Sequence, residues 1–102
     1  MRPEIAGDTV TSWRRDGESW ARSVFSGVRA EWSRGSDAAQ VGPEPSRDLK
    51  VYFFRDPGLS DGDYLALGAV GGSEPPEGAL RVARVNRWTL RYRHHHTEVT
   101  AR

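Results

Sequence analysis

The chain of 102 residues carries fifteen basic and fourteen acidic side chains, a formal charge of +1, and no cysteine. That balance lacks the basic footprint of a protein that wraps nucleic acid, and the missing thiols exclude disulfides and Cys-ligated zinc or iron–sulfur sites. An apolar fraction of 36% with eleven Gly and six Pro allows only a thin core with large loops, in a domain that association would help to stabilise.

Residues 1–7 read as a flexible arm, and 8–102 as a single domain. Residues 1–10 contain no hydrophobic h-region, and no apolar stretch is long enough to span a membrane, so synthesis in the cytosol is the expectation. Alternation begins at Asp8: Thr9, Thr11 and Trp13 fall on one face, Val10 and Ser12 on the other, the pattern of a half-buried strand. Asp16-Gly17 is a tight-turn signal, after which Trp20, Arg22, Val24 and Ser26 alternate with Ala21, Ser23 and Phe25 to complete a hairpin. Gly27 interrupts the period as a bulge or bend would, and Val28, Ala30 and Trp32 resume it.

Residues 33–48 (SRGSDAAQVGPEPSRD) change the composition to Gly, Ser, Pro and charges, and read as a long loop with room for one helical turn at 37–41. Residues 49–54 are the densest run of β-formers, followed by turns to 63 and a further strand at 63–68. A second loop, 71–78, contains Pro75-Pro76, which cannot donate to a ladder. Residues 80–85 form the next strand, a bend is expected at Asn86-Arg87, and residues 89–93 form the last full strand, with the tail at 94–99 able to pair beside it. The expected fold is all-β: a small antiparallel barrel or sandwich of about six strands with long loops.

The triplet His94-His95-His96 is the first candidate for chemistry. On a regular strand His94 and His96 would share a face with Glu98 as a third metal ligand, while His95 would point away. No other His or Cys exists to complete a four-ligand site, so no metal is expected and the segment reads as a solvated or interface-facing strand. Asp56, Asp61 and Asp63 lack the spacing of a calcium loop and fit turn chemistry. No nucleophile or phosphate-binding signature is present, and neither enzyme activity nor a cofactor is expected. Of the four tryptophans, two are expected to fill the core and the others to anchor an interface. The candidate anchors are Trp32, Trp88, Arg91, Tyr92, Arg93 and His95. All basic residues but Lys50 are Arg, as a GC-rich coding genome would produce and as carboxylate pairing at interfaces would use.

Asp8-Thr9-Val10-Thr11, Trp20-Ala21-Arg22-Ser23-Val24, Gly27-Val28 and Trp32-Ser33, followed by the strand from Asp63 to Gly68 and an ending with His96, Glu98 and Val99, resemble the minor capsid or head-closure family of tailed phages. Ser23 stands where that pattern has Thr. The resemblance implies a small β-barrel without catalytic residues, a head-to-tail stopper that assembles as a ring, usually of six copies, in the neck of the virion after synthesis in the host cytoplasm. Such a ring would sit below the portal and adaptor, close the channel behind the packaged DNA, and dock the tail-terminator or tail-tube proteins. In that setting Arg34, Asp37, Gln40, Glu44 and Arg47 of the 33–48 loop would gate the channel, meeting at the axis or pairing by strand addition, and 71–78 would contact the tail or adaptor. Two other readings compete: a tail terminator or other neck protein, and a small OB- or SH3-like nucleic-acid-binding module that uses Arg81, Arg87, Arg91 and Arg93 with Trp88 and Tyr92 to stack bases.

Overall fold

The computed structural model describes residues 7–34, 47–90 and 93–102. Six strands follow one another: β1 (Asp8–Asp16), β2 (Ser19–Arg34), β3 (Arg47–Phe53), β4 (Tyr64–Leu67), β5 (Leu80–Leu90) and β6 (Arg93–Ala101). They close into an antiparallel barrel in the order β1-β2-β3-β6-β5-β4, with β4 returning to β1. The expected all-β barrel is therefore what the chain forms. No helix among the described residues is long and apolar enough to cross a membrane.

Closure depends on strands that change partner along their length. The first part of β2 pairs with β1 and the second, from Arg29, pairs with β3. Gly27 lies between them as an unpaired extra residue, since Thr9 faces Ser26 while Asp8 faces Val28. Its φ of 72° is a left-handed conformation that glycine adopts without a Cβ penalty. One pair beyond that bulge, at Asp8–Val28, the β1–β2 ladder ends, and the Asp8 carboxylate takes over, accepting the Ala30 N–H at 2.9 Å. β5 makes the corresponding corner: Leu80 and Arg81 pair with β4, a bulge leaves Ala83 over, and the rest of the strand pairs with β6.

The interior holds the inward rows of the strands: Val10, Val28, Leu49, Val51, Phe53, Leu65, Val82, Val99 and Ala101, with Leu59 plugging in from the β3–β4 connection. Phe25 meets Phe53 edge to face at 5.1 Å. Small β-branched and aliphatic residues suffice because a six-stranded barrel encloses little volume. The expectation of two core tryptophans needs correction. Trp13 is fully buried, but it lies on the outward row of β1, outside the interior cluster, and Trp20 is only half-buried.

What covers Trp13 is the start of the connection after β4. The Thr11 hydroxyl donates to Gly68 O at 2.7 Å and accepts from Val70 N at 2.9 Å. Arg22 donates to Val70 O at 3.1 Å, and the indole Nε1–H of Trp13 donates to Gly72 O at 3.1 Å. β1 is thus buried on both faces from Val10 to Trp13, not on one as its alternation suggested. The second loop begins pinned against the barrel.

Three further expectations shift. β5 runs unbroken through Asn86 and Arg87, where a bend was expected, so the predicted strand at 89–93 does not exist as a unit: Thr89 and Leu90 end β5, and Arg93 opens β6 opposite Leu90. The tail from His94 onward is a full strand that pairs with both β3 and β5. The ladder of β2 and β3 also extends into the predicted loop, placing Ser33 opposite Asp48 and Arg34 opposite Arg47. The possible helical turn at 37–41 and the arm at 1–6 lie outside the described residues.

The two bends and the covered tryptophan make testable claims. Gly27→Ala meets no atom within 4 Å, so its cost is that of a left-handed alanine, about 1–2 kcal/mol. Trp13→Ala empties a fully buried indole and should cost about 3–5 kcal/mol, a large share of the ~5–15 kcal/mol expected for a domain. Urea unfolding followed by circular dichroism measures both.

Candidate functional site

The outward rows of β3, β6 and β5 build one aromatic and polar patch. Lys50 and Tyr52 alternate with buried Leu49, Val51 and Phe53, and His96 and Glu98 alternate with buried Thr97 and Val99. Cross-strand register sets Tyr52 opposite Glu98 and Trp88 opposite His96. The Trp88 and His96 rings stack nearly parallel, 10° apart in plane with centroids 5.9 Å apart, and Tyr52 tilts against the same imidazole at 6.1 Å. Trp88 nevertheless stays 51% exposed, its other face open to solvent.

The histidines do not alternate as a regular strand would have them. Trp88 faces His96 but Thr89 faces His94, so His95 is the extra residue of a bulge. Instead of projecting to the opposite face, His95 turns its Nδ1 to within 2.8 Å of the His96 Nδ1. On its other side the His96 Nε2 lies 3.1 Å from Glu98 Oε2, and Glu98 Oε1 lies 3.9 Å from Lys50 Nζ. A carboxylate only accepts, so neutral His96 carries its hydrogen on Nε2 and donates it to Glu98. Its Nδ1 then accepts the Nδ1–H of His95. The result is a directional chain from exposed His95 through half-buried His96 to Glu98.

The other predicted anchors distribute as follows. Trp32 stands in register with Leu49, on the inward row of β2 after Val28 and Ala30, and is 44% exposed at the barrel mouth. Arg93 pairs through its backbone with Leu90. Arg91 and Tyr92, and the loop residues Asp37, Gln40 and Glu44, lie outside the described residues, while Arg34 and Arg47 face each other in the ladder. The structure brings Trp88 and His95 together around His96 and leaves Trp32 apart. Tyr52 and Lys50 were not singled out from the sequence. Their outward parity was readable, but nothing local announced that β6 would lie beside them.

The three aspartates behave as turn residues. Asp56 accepts from Gly58 N at 2.9 Å and pairs with Arg87 at 3.2 Å; Asp61 lies 3.8 Å from Arg81. Buried Asp63 accepts from Arg15 N at 3.2 Å and Ser60 N at 2.8 Å, fastening the approach to β4 onto β1. No set of three or more His, Asp or Glu among the described residues could jointly hold a metal. Hollows on the described surface include a cleft of about 150 Å³ at Phe25, Gly27, Phe53 and Phe54, and a shallow one of about 410 Å³ beside Arg15, Trp20 and Tyr64. In the latter Arg15 stacks over Trp20 at 4.7 Å.

Comparison with family models, with curated proteins and with solved structures finds no match to this chain.

The Trp88–His96 stack is a cross-strand pair of the kind worth roughly 0.2–1 kcal/mol. A double-mutant cycle of Trp88→Ala and His96→Ala in urea should return a coupling of about that size. A coupling of zero would mean that the two rings do not stack in solution.

Proposed function

We propose that this chain is a structural protein of the tailed-phage neck, a ring-forming stopper that closes the DNA channel and docks the tail. The observation that carries the reading is where the motif residues fall. Asp8 caps the corner of β2, Thr11 clips the 68–72 segment, Gly27 is the bulge, Asp63 fastens β4, and Val99 lies in the interior. Several of the residues that carry the resemblance sit at corners and seams of the barrel, and this is what supports the reading.

The surface suits the role of a ring subunit. An exposed Trp set among His, Tyr, Glu and Lys has the mix of aromatic anchor and polar rim that protein interfaces use. The rival reading as a base-stacking module needs free arginines beside Trp88. Arg87 and Arg81 instead lie beside Asp56 and Asp61, whose carboxylates lower the positive potential that this stripe would offer a phosphate.

The decisive experiment deletes the gene from the virus or prophage that carries it. Filled heads should then lose their DNA and fail to join tails, and the purified chain added back should restore both. Heads that keep DNA and attach tails without this protein would end the proposal. A gel shift with duplex DNA separates the nucleic-acid reading: a stopper should bind weakly, whereas a binding module should bind tightly with a steep loss of affinity as salt rises.

A further inference from the structure

We infer that His95 and His96 form a two-nitrogen chelating site for a divalent transition-metal cation of tetragonal preference, with Glu98 as the carboxylate that orients it. The inference is independent of the neck reading and rests on the bulge in β6. Adjacent residues on a regular strand point to opposite faces and cannot chelate. Here the extra residue turns His95 back, and the two Nδ1 atoms approach to 2.8 Å.

That distance already brings the two nitrogens within the span of a chelate. Imidazole nitrogens bind such metals at about 2.0–2.1 Å, so two of them at a right angle about one ion lie about 2.9 Å apart, and at a tetrahedral angle about 3.3 Å apart. The spacing set by the hydrogen bond between the rings is within reach of the right-angle case that square-planar or octahedral Cu(II) and Ni(II) adopt, and Cu(II) heads the affinity order for nitrogen ligands. Two protein nitrogens do not fill a coordination sphere, so water completes it, one ion per chain.

The surroundings are those of a built ligand pair. A metal-binding imidazole commonly donates its second ring N–H to a carboxylate, which fixes the tautomer and the ring plane. His96 has that partner in Glu98 at 3.1 Å, so in the neutral ring its Nδ1 carries a lone pair, which the His95 N–H occupies until a metal displaces it. Trp88 stacked on one side and Tyr52 tilted against it hold the ring. His95 needs only to move its hydrogen from Nδ1 to Nε2, and its exposure leaves that nitrogen to water. Binding therefore replaces the His95–His96 hydrogen bond with two metal–nitrogen bonds and requires no net loss of protons from the neutral pair.

The test is titration of the full chain with Cu²⁺, and separately with Zn²⁺, in a non-coordinating buffer near pH 7.5, read by calorimetry and tryptophan fluorescence. One Cu²⁺ per chain should bind, more tightly than Zn²⁺. His95→Ala and His96→Ala should each weaken it at least tenfold, Glu98→Gln by roughly 10- to 100-fold, and His94→Ala by less than twofold. Copper quenches nearby indoles, so Trp88→Phe should abolish most of the quenching seen on addition of Cu²⁺. Urea midpoints close to that of the parent chain establish that each variant is folded. If His94→Ala weakens binding as much as His96→Ala, or Glu98→Gln leaves it unchanged, the cation is held by a flexible histidine tract and the inference is overturned.

Discussion

Everything in this molecule depends on two strands that change partner along their length. Six short strands close a barrel only if the sheet turns corners, and β2 and β5 turn them. At Gly27 the chain uses the one residue that takes a positive φ without penalty; at Ala83 an extra residue shifts the register of β5 just where its contact with the β4 side ends. Asp8 and Asp63 then supply carboxylate acceptors to backbone N–H groups where ladder pairing changes partner or begins. Without them, the corners would leave polar backbone unsatisfied beside an apolar interior.

Much of this was legible in the chain because a strand's side chains alternate with period two. The hairpin at Asp16-Gly17, the interruption at Gly27, the dense run at 49–54 and the Pro-containing connection at 71–78 all announced themselves by local chemistry. What stayed hidden was set by non-local packing. Asn86 and Arg87 looked like a bend because they are polar. In the fold Asn86 faces outward, and Arg87 reaches Asp56 from the barrel mouth, so neither has to leave the ladder. Trp13 looked like interior filling because it is large and apolar. It is buried instead by the segment after β4, which its own alternation cannot reveal. The bulge at His95 carries no Gly or Pro to mark it, and one residue of slip reversed the reading of which histidines meet.

The arginine excess also finds a physical account. Near neutrality implied that the arginines meet carboxylates, and Arg29, Arg81, Arg87 and Arg102 lie beside Glu31, Asp61, Asp56 and Asp48. Others work through the planar guanidinium itself: Arg15 over the Trp20 ring, Arg22 on the Val70 carbonyl. These contacts are largely exposed and stabilise little individually. Their effect is to engage part of the basic side chains on the barrel's own surface, while Trp88, like Phe54 and Trp32, turns aromatic area outward.

That patch is assembled from residues far apart in sequence, and its members meet only because β6 lies between β3 and β5. The ladders that bring them together are long: β5 and β6 pair from Val82 to Leu90, and β3 meets β6 from Leu49 to Phe53. The opposite seam is short, with β4 and β5 matched at only Tyr64–Arg81 and Leu65–Leu80 and extended by backbone bonds between Gly62, Asp63 and Val82. Local opening in a small sheet starts where the fewest hydrogen bonds must break together. The β4 seam is therefore where this barrel yields first, while the β3–β6–β5 face that holds Trp88, His96 and Glu98 is backed by longer ladders. A surface meant to present fixed rings and a fixed imidazole pair needs that kind of backing, and the strand order places it there.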